Sequence, residues 1–357
     1  MNSLQPKFMD DPKLFVKHST TLRVIGEFKG RQDILLGVET EALQTLRKLA
    51  IIESTESSNR LEGIVTTHER IKDIVLKSSA PRNRSEQEIA GYRDALHNIH
   101  ENWLTMDINT HIIKELHNTI YRFLPLEGGE WKKTDNVILE KYTDGSMRVR
   151  FRPVSVEKTP AAMENLILAY QDAINSGMEP LLVIPLSILD FLCIHPFSDG
   201  NGRVARLLTL LLLYKAGYQV GKFISLERIF ESSKESYYEI LEASSIGWHD
   251  GNHNIIPWTT YFWGVMIAAY KEFEDRVGSI KRTYGSKTEM IQQAVERKIS
   301  PFSISEIEDE CPGISRVMIK TVLRRMRDEG KIRSTGVGRG AKWVRISSRN
   351  MKKNEGL

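Results

Sequence analysis

The spacing of hydrophobic positions predicts a mostly α-helical chain. Over most of the first 280 residues, apolar side chains recur at intervals of three and four, the period of a helix with one buried face. The clearest segments are TEALQTLRKLAIIESTESSNRLEG, EQEIAGYRDALHNIHENW, AAMENLILAYQDAINSG and PWTTYFWGVMIAAYKEFEDRV. Gly63 and Gly177 close two of these segments, and we expect each of them to end a helix.

One segment departs from the helical pattern. In WKKTDNVILEKYTDGSMRVRFRPV, alternating apolar and polar residues flank the turn sequence YTDGS. Alternation around such a turn is typical of two antiparallel strands. We therefore expect one β-hairpin from about Trp131 to Pro153, placed as a flap on the helical domain.

The pattern changes again after GSIKRTYGSKTE. It predicts a short helix from Glu289 to Arg297, a second that begins near Ser303, and a third over the basic segment SRVMIKTVLRRMRDEG. Two short strands, KIRSTG and AKWVRI, follow and are joined by a Gly-rich loop. Three helices and a β wing predict a C-terminal winged helix-turn-helix domain over residues 285–350.

The net charge of +4 conceals an asymmetry along the chain. From Pro312 onward there are 13 Lys or Arg against 3 Asp or Glu, so everything before has a net charge of −6. Clustered basic residues on the helix Ser315–Asp328 allow sequence-independent binding of DNA, whereas a solvated face on a protein-docking domain explains them equally well. The basic residues of that helix are Arg316, Lys320, Arg324, Arg325 and Arg327.

Composition narrows the class of protein. Hydrophobic residues make up 41% of the chain, which is globular composition, and Cys193 and Cys311 lack the spacing of a metal site or disulfide framework. The N-terminus does not resemble a signal peptide, and the longest apolar run, LLVIPLSILDFLCI, is shorter than the roughly 20 residues that span a bilayer. We expect a cytoplasmic protein without a membrane partner.

The most informative stretch is HPFSDGNGRVAR, residues 195–206, which lies between two apolar segments expected to form buried helices. Gly200 and Gly202 can adopt left-handed dihedrals. Consecutive free backbone N–H groups in a loop that leads into a helix N-terminus form a site that binds anions. Arg203 and Arg206 lie in the first turn of the following helix, where each cation opposes the helix dipole by about 0.3–1 kcal/mol. A polyphosphate would offset that cost.

Two other residues of the stretch suit a nucleotide site. One carboxylate, here Asp199, together with phosphate oxygens is a usual arrangement for Mg²⁺. His195 titrates near neutrality and is able to accept a proton from a hydroxyl. The Gly-Asn-Gly sequence by itself also fits an ordinary turn between helices, but the whole set of polar residues favours an anion site. A calcium loop is excluded, because Val204 would stand where glycine is required.

The stretch HPFSDGNGR followed by Arg206 resembles the signature of the Fic family, whose members transfer AMP from ATP to protein hydroxyls. The resemblance covers roughly Thr40 to Arg276. It includes the hairpin, which is similar to the target-positioning flap of the family, and KESYYEIL, which is similar to a helix near the nucleotide base. It implies a Fic-type helical domain with its catalytic core over residues 96–280, preceded by an N-terminal helical region over residues 1–95.

The resemblance also implies roles for individual residues. His195 would be the general base, Asp199 would hold Mg²⁺ against the α- and β-phosphates, and Phe197 would point inward and anchor the loop. Arg203 would neutralise phosphate charge, and Arg206 would pair with the γ-phosphate. The residues implied to cradle the phosphates or to lie near the base are Gly200, Asn201, Gly202 and Tyr238.

A second motif, SSNRLEG, resembles the inhibitory motif of the same family. Ser58 and Glu62 lie four residues apart on one helix face, and Gly63 follows. Three fixed positions form a weak motif, and a solvated glutamate at a helix end is the simpler interpretation when the motif is taken alone. Together with the loop, the motif implies that Glu62 pairs with Arg206 and blocks the γ-phosphate site.

The resemblance implies that the chain transfers AMP from ATP to a protein hydroxyl, with Mg²⁺, under autoinhibition by Glu62. Its protein substrate is unidentified, and the chain itself is one candidate. Open alternatives are a nucleotide-sensing DNA-binding regulator with a non-catalytic Fic fold, transfer of UMP or phosphate, additional removal of AMP, and a homodimer.

Overall fold

The computed structural model describes residues 2–9, 12–36, 41–141, 146–298, 300–311, 314–335 and 342–346. The helices of the first part are α1 (Pro6–Met9), α2 (Pro12–Leu36), α3 (Glu41–Leu61), α4 (His68–Lys77), α5 (Arg84–Asn102), α6 (Thr110–Tyr121), α7 (Thr159–Asn175), α8 (Pro180–Ile194), α9 (Asn201–Lys215), α10 (Leu226–Ser232) and α11 (Lys234–Ser245). They are followed by α12 (Ile256–Glu296), α13 (Ile304–Glu310) and α14 (Arg316–Asp328). The strands are β1 (Ile138–Lys141), β2 (Met147–Phe151), β3 (Ile332–Thr335) and β4 (Lys342–Arg345).

The chain divides into two compact units, Met1–Glu274 and Asp275–Leu357. Both units are dominated by helices, so the prediction of a mostly α-helical protein is confirmed. Within the ranges given above, no helix is long and apolar enough to cross a membrane. Gly63 and Gly177, with φ of 77° and 83°, follow the ends of α3 and α7, as their positions in the sequence predicted.

Helices α8 and α9 form the centre of the first unit, and they pack against each other. Almost every side chain of α8 is buried, which explains why its sequence is apolar on all sides. Pro185 cannot donate the helical hydrogen bond to the Leu181 carbonyl, and the indole N–H of Trp263 donates to that carbonyl instead at 2.7 Å. A second indole, Trp258, donates to the Pro185 carbonyl at 2.7 Å. Helix α12 thus supports α8 at its proline.

Helix α3 carries the SSNRLEG motif towards α9. It packs against α5, α9 and α10, and Ser58 near its C-terminus is fully buried. The predicted hairpin is also present, because β1 and β2 pair antiparallel, with Leu139 opposite Val149, but it begins at Ile138 rather than near Trp131. Residues 142–145 of its predicted turn YTDGS lie outside the described residues.

The second unit has its own core, in which Phe302, Leu323 and Trp343 are buried. Strands β3 and β4 pair antiparallel, and the Gly-rich loop predicted between them, residues 336–341, lies outside the described residues. The prediction of a separate helix from Glu289 was wrong, because α12 runs without a break from Ile256 to Glu296. An interior glycine costs a helix only about 1 kcal/mol, and no proline stands between residues 258 and 300 to end this one. The winged-helix assignment stays a prediction.

Candidate active site

The loop between α8 and α9 begins and ends in left-handed backbone. His195 follows α8 with φ of 52° and ψ of 61°, and its N–H donates to the Phe191 carbonyl at 2.9 Å. Gly200 precedes α9 with φ of 78°. Among the described residues other than glycine, only Ser78 shares a positive φ. Such a conformation costs a histidine on the order of 1–3 kcal/mol, so the surrounding contacts must hold it in place.

Phe197 and Asn201 anchor the middle of this loop. Phe197 is fully buried, as expected, and its ring stacks on His117 with centroids 3.8 Å apart. The Phe197 N–H donates to Asn201 Oδ1 at 2.9 Å, and Asn201 Nδ2 donates to the Phe197 carbonyl at 2.8 Å. The Asn201 side-chain amide is thus engaged in hydrogen bonds within the loop.

Residues ahead of the hairpin hold the same loop from its other side. The backbone N–H of Lys132 donates to the Pro196 carbonyl at 2.8 Å, and its ammonium donates to the Ile194 carbonyl at 3.3 Å. Asn136 Nδ2 donates to the Phe197 carbonyl at 3.2 Å. Burial lowers the pKa of the Lys132 ammonium. The residues on both sides of His195 are therefore held by two separate parts of the chain, His117 on α6 and the segment from Lys132 to Asn136.

His195 has the protonation state of a general base. Its Nδ1 lies 3.2 Å from the Leu192 carbonyl oxygen. A carbonyl only accepts hydrogen bonds, so Nδ1 carries the proton and Nε2 keeps its lone pair. Burial lowers the pKa of His195 to about 4, and the charge of Lys132 acts in the same direction. At neutral pH the ring is uncharged and is able to accept a proton at Nε2.

Arg206 is buried and fully engaged by the SSNRLEG motif. Its Nε donates to Ser58 Oγ at 2.8 Å, and its Nη2 donates to the Ser58 carbonyl at 2.9 Å and to Glu62 Oε1 at 2.7 Å. Burial disfavours the charge on Arg206, yet the Glu62 carboxylate keeps the pKa of the guanidinium above its ordinary value. The ion pair expected between Glu62 and Arg206 is present.

The Glu62 carboxylate also lies against Gly202, in the first turn of α9. A Cβ added at Gly202 would stand 2.3 Å from Glu62 Oε1 and 3.2 Å from Arg206 Nη1. A side chain at position 202 would therefore displace the carboxylate. Since helix N-termini attract negative charge, Glu62 occupies the kind of position that an anion would take.

Arg203 is bound to a second carboxylate. Its side chain is 1% exposed, its Nη1 donates to Glu88 Oε2 at 2.7 Å, and its Nη2 donates to the Tyr121 hydroxyl at 3.3 Å. Its Nε has no hydrogen-bond partner among the residues that the structure describes. The charge of Arg203, expected to face phosphate, is thus already balanced inside the protein by Glu88.

Asp199 presents an ionised carboxylate to solvent. Its side chain is 69% exposed, and Oδ2 accepts a hydrogen bond from Tyr121 at 2.8 Å. Burial alone would raise the pKa of Asp199, but the Tyr121 hydroxyl and the Arg203 guanidinium outweigh burial and lower it. Within the described ranges, no cluster of three or more His, Cys, Asp and Glu side chains could hold a metal ion.

His117 positions Asp199 through the backbone. The Gly129 N–H donates to His117 Nδ1 at 2.8 Å, so Nε2 carries the proton and donates to the Asp199 carbonyl at 3.1 Å. Burial lowers the pKa of His117 to about 4, which keeps the ring neutral.

One cavity of about 280 Å³ brings five of the expected site residues together. Those that line it are Glu62, His195, Gly202, Arg206 and Tyr238. Asp199 lines a different cavity, beside His117 and Tyr121. Ser58, Asn201 and Arg203 are buried.

Sequence reasoning missed the residues that fasten the hairpin beside this cavity. Arg148 Nη2 lies 2.6 Å and Arg150 Nε 3.7 Å from the Glu242 carboxylate on α11, and Arg150 also donates to the Tyr238 carbonyl. The guanidinium of Arg150 lies over the Tyr238 ring, 5.6 Å from its centroid. The Arg-Val-Arg alternation signals a shared strand face, whereas nothing in the sequence identifies Glu242 as the partner.

Residues 106–213 match the sequence model of the Fic/DOC family. The chain carries a Fic domain. The matched range holds His195, Asp199, Gly200, Arg203 and Arg206, which together form the loop and the start of α9.

The Fic domain also recurs in similar proteins. The protein adenylyltransferase Fic of Nematostella vectensis is 27% identical over 227 residues, which cover 61% of this chain and 49% of that protein. The chain spans about half the length of the curated relatives it matches. A Fic domain-containing signaling protein from Bacteroides thetaiotaomicron superposes with a TM-score of 0.60 at 24% identity, over 72% of this chain and 97% of the other. A Fic family protein from Desulfovibrio desulfuricans superposes with a TM-score of 0.57 at 17% identity, over 92% of this chain and 96% of the other.

Proposed function

We propose that the chain is a protein adenylyltransferase that transfers AMP from ATP to a hydroxyl side chain of a protein. One observation carries the proposal: the Glu62 carboxylate lies against Gly202 and Arg206, in the cavity that also holds the neutral His195. A position that holds an anion beside a base with a free Nε2 suits a polyphosphate and an incoming hydroxyl. The adenylyltransferase names of the relatives agree with this chemistry.

In the proposed reaction, the hydroxyl oxygen of the target attacks the α-phosphorus of ATP. The bond from that phosphorus to the oxygen that bridges it to the β-phosphate breaks, and pyrophosphate leaves. Nε2 of His195 takes the hydroxyl proton, because Nδ1 is held protonated by the Leu192 carbonyl. Most of the rate enhancement comes from positioning and from charge stabilisation.

The phosphates would contact the start of α9. Backbone N–H groups from Gly200 to Gly202 open this helix, and the absence of a side chain at Gly202 leaves room for an oxygen atom. Arg206 would pair with the γ-phosphate once Glu62 leaves, while its two hydrogen bonds to Ser58 keep the guanidinium in place.

Asp199 fits the role of a Mg²⁺ ligand. Its carboxylate is ionised, exposed and oriented by the Tyr121 hydroxyl, and one carboxylate plus phosphate oxygens is a common Mg²⁺ arrangement. A bound Mg²⁺ would neutralise charge on the α- and β-phosphates.

We further propose that Glu62 inhibits this reaction. A carboxylate and a γ-phosphate cannot occupy the same side of the Arg206 guanidinium, so ATP must either displace Glu62 or bind without that contact. In the second case the α-phosphate is not aligned for attack. Glu62 is 29% exposed, whereas Arg206 is 3% exposed, so the carboxylate is the partner that is able to leave.

The deciding experiment supplies Glu62→Gly protein with ATP labelled at the α- or the γ-phosphate, in parallel reactions. We expect protein-bound label from the α position alone. The matched control is the Glu62→Gly, His195→Ala double variant, which keeps the cradle and should incorporate no label. Label from γ alone indicates a kinase, and label from neither favours a nucleotide sensor. A parallel reaction with α-labelled UTP tests transfer of UMP.

A further inference from the structure

Helix α14 of the second unit has two distinct faces. Ile319, Val322, Leu323 and Met326 are buried in the core of that unit. At 100° per residue, the opposite side of the helix is centred on Val317, Thr321, Arg324 and Asp328, with Lys320 about 70° to one side of that centre and Arg325 about 70° to the other. All six are exposed, and we call them the outer face of α14.

Two cations on this outer face are not neutralised by neighbours. Neither Lys320 nor Arg324 has an ion pair or a side-chain hydrogen bond within the part of the chain that the structure describes. The other arginines of α14 differ in this respect, since they pair with carboxylates. These pairs are Arg316 with Glu308, Arg325 with Glu329 and Arg327 with Asp328.

The surroundings of α14 are also basic. Residues 275–357 hold 19 Lys or Arg against 10 Asp or Glu, a net charge of +9, while the rest of the chain is net negative. The acidic residues of α13 are partly neutralised, because Glu306 and Glu310 lie within 3.4 Å and 2.6 Å of Lys298. On the strand pair β3 and β4, Arg333 and Lys342 are exposed and share the strand face that does not carry the buried Trp343.

From this arrangement we infer that the outer face of α14 binds duplex DNA in the major groove. The groove is about 12 Å wide and admits one helix. Lys320 and Arg324 provide donors for guanine or phosphate, Thr321 provides a hydroxyl, and Val317 provides an apolar contact for a thymine methyl group. Arg333 on β3 and Lys342 on β4 would contact DNA phosphates.

The composition of the face favours nucleic acid over a protein partner. Protein interfaces centre on large apolar or aromatic anchors. Among the described residues of α14, Val317 is the only large apolar side chain that is exposed, at 74%. A face with two unpaired cations and a single apolar side chain fits a polyanion with a groove.

The test measures fluorescence anisotropy of a labelled mixed-sequence duplex of about 30 base pairs with the full chain, from about 50 to 300 mM salt. We expect log K to fall linearly with log salt, with a slope of roughly −0.9 for each phosphate contacted. Arg324→Gln should weaken binding about tenfold. Arg325→Gln is the matched control, because it removes the same charge from the same helix at a residue that already pairs with Glu329. It should weaken binding less than about twofold.

Several results would overturn the inference. One is no affinity for the duplex at the lowest salt, which would leave the face to a protein partner. Equal losses in Arg324→Gln and Arg325→Gln would show diffuse attraction by charge rather than a contact face. Equal affinity for a single strand of the same length would exclude recognition of the groove. Both variants should keep the melting temperature and the AMP transfer of the parent chain, so these outcomes are separate from the test of the adenylyltransferase proposal.

Discussion

Replacing Glu62 by glycine is the perturbation that separates inhibition from structure. Glu62 follows the last residue of α3 and precedes Gly63, so a glycine at position 62 does not interrupt the helix. The substitution removes the carboxylate from Arg206 and from Gly202 but leaves both hydrogen bonds from Arg206 to Ser58. It therefore opens the proposed γ-phosphate site without changing the cradle.

The expected magnitudes follow from the ion pair. Removing one partner of a fully buried pair costs about 3–5 kcal/mol. Because Glu62 is partly exposed and Arg206 keeps Ser58, we expect a smaller loss of about 1–3 kcal/mol in the free energy of unfolding. If the pair favours the blocked state by about 2 kcal/mol, its removal raises the fraction of chains with a free Arg206 about 30-fold. AMP transfer should rise by a similar factor.

Initial rates of label transfer from α-labelled ATP, on the same protein substrate, measure this effect. Thermal melting without nucleotide should show a drop of several degrees, and saturating Mg-ATP should restore about 2–3 kcal/mol. The matched control is Glu56→Gln, which removes a carboxylate from the same helix where it pairs with Arg60 and His68. Its rate should equal that of wild type. A folded Glu62→Gly protein that transfers AMP no faster than wild type would refute the inhibitory role of Glu62.

Three further predictions use the same assays. His195→Ala in the Glu62→Gly background should keep ATP binding, measured by calorimetry, and lose transfer by about 10²- to 10⁴-fold, since the proton acceptor is gone. Because burial lowers the pKa of His195 from 6.5 to about 4, the base form persists below neutrality. Transfer at low ATP should stay level from about pH 8 to 5.5 and fall only near pH 4, whereas a fall centred near 6.5 would contradict the burial argument. Glu88→Gln leaves the buried Arg203 with only the exposed Asp199 carboxylate, 3.5 Å away, and should lower the free energy of unfolding by about 1–3 kcal/mol, so an unchanged melting temperature would count against the pairing with Glu88.

The elements that sequence predicted well are those whose signals are local. The hairpin followed from alternation around a turn, and the end of α3 followed from Gly63, which has φ of 77° in the structure. The separate helix predicted from Glu289 is absent. The glycine and charged residues before it suggested that the preceding helix ends there, but these residues do not stop a helix as a proline does. Helix α12 continues through that region because nothing in its backbone forbids it.

The site likewise contains residues that a local sequence pattern predicts and contacts that no local pattern predicts. His195, Asp199 and Gly202 are close in sequence, so one loop predicted them together. The left-handed conformation of His195 was not predictable, because it depends on contacts from Lys132 and Asn136 that precede the hairpin. The pairing of Glu88 with Arg203 joins residues 115 positions apart, and no local pattern signals it.

The pairing of Glu88 with Arg203 changes the explanation of how the charges of the two arginines in the first turn of α9 are balanced. Two cations at a helix N-terminus are unfavourable, and the sequence suggested that a polyphosphate offsets the cost. In the structure two carboxylates of the chain itself do so, Glu88 at Arg203 and Glu62 at Arg206, and the exposed Asp199 also lies 3.5 Å from Arg203. They are not equivalent, since the Glu88 side chain is 8% exposed and lies outside the cavity lining, whereas Glu62 is 29% exposed and lines the cavity. In the proposed reaction the polyphosphate replaces Glu62 alone, so Arg203 keeps Glu88 while Arg206 exchanges one anion for another.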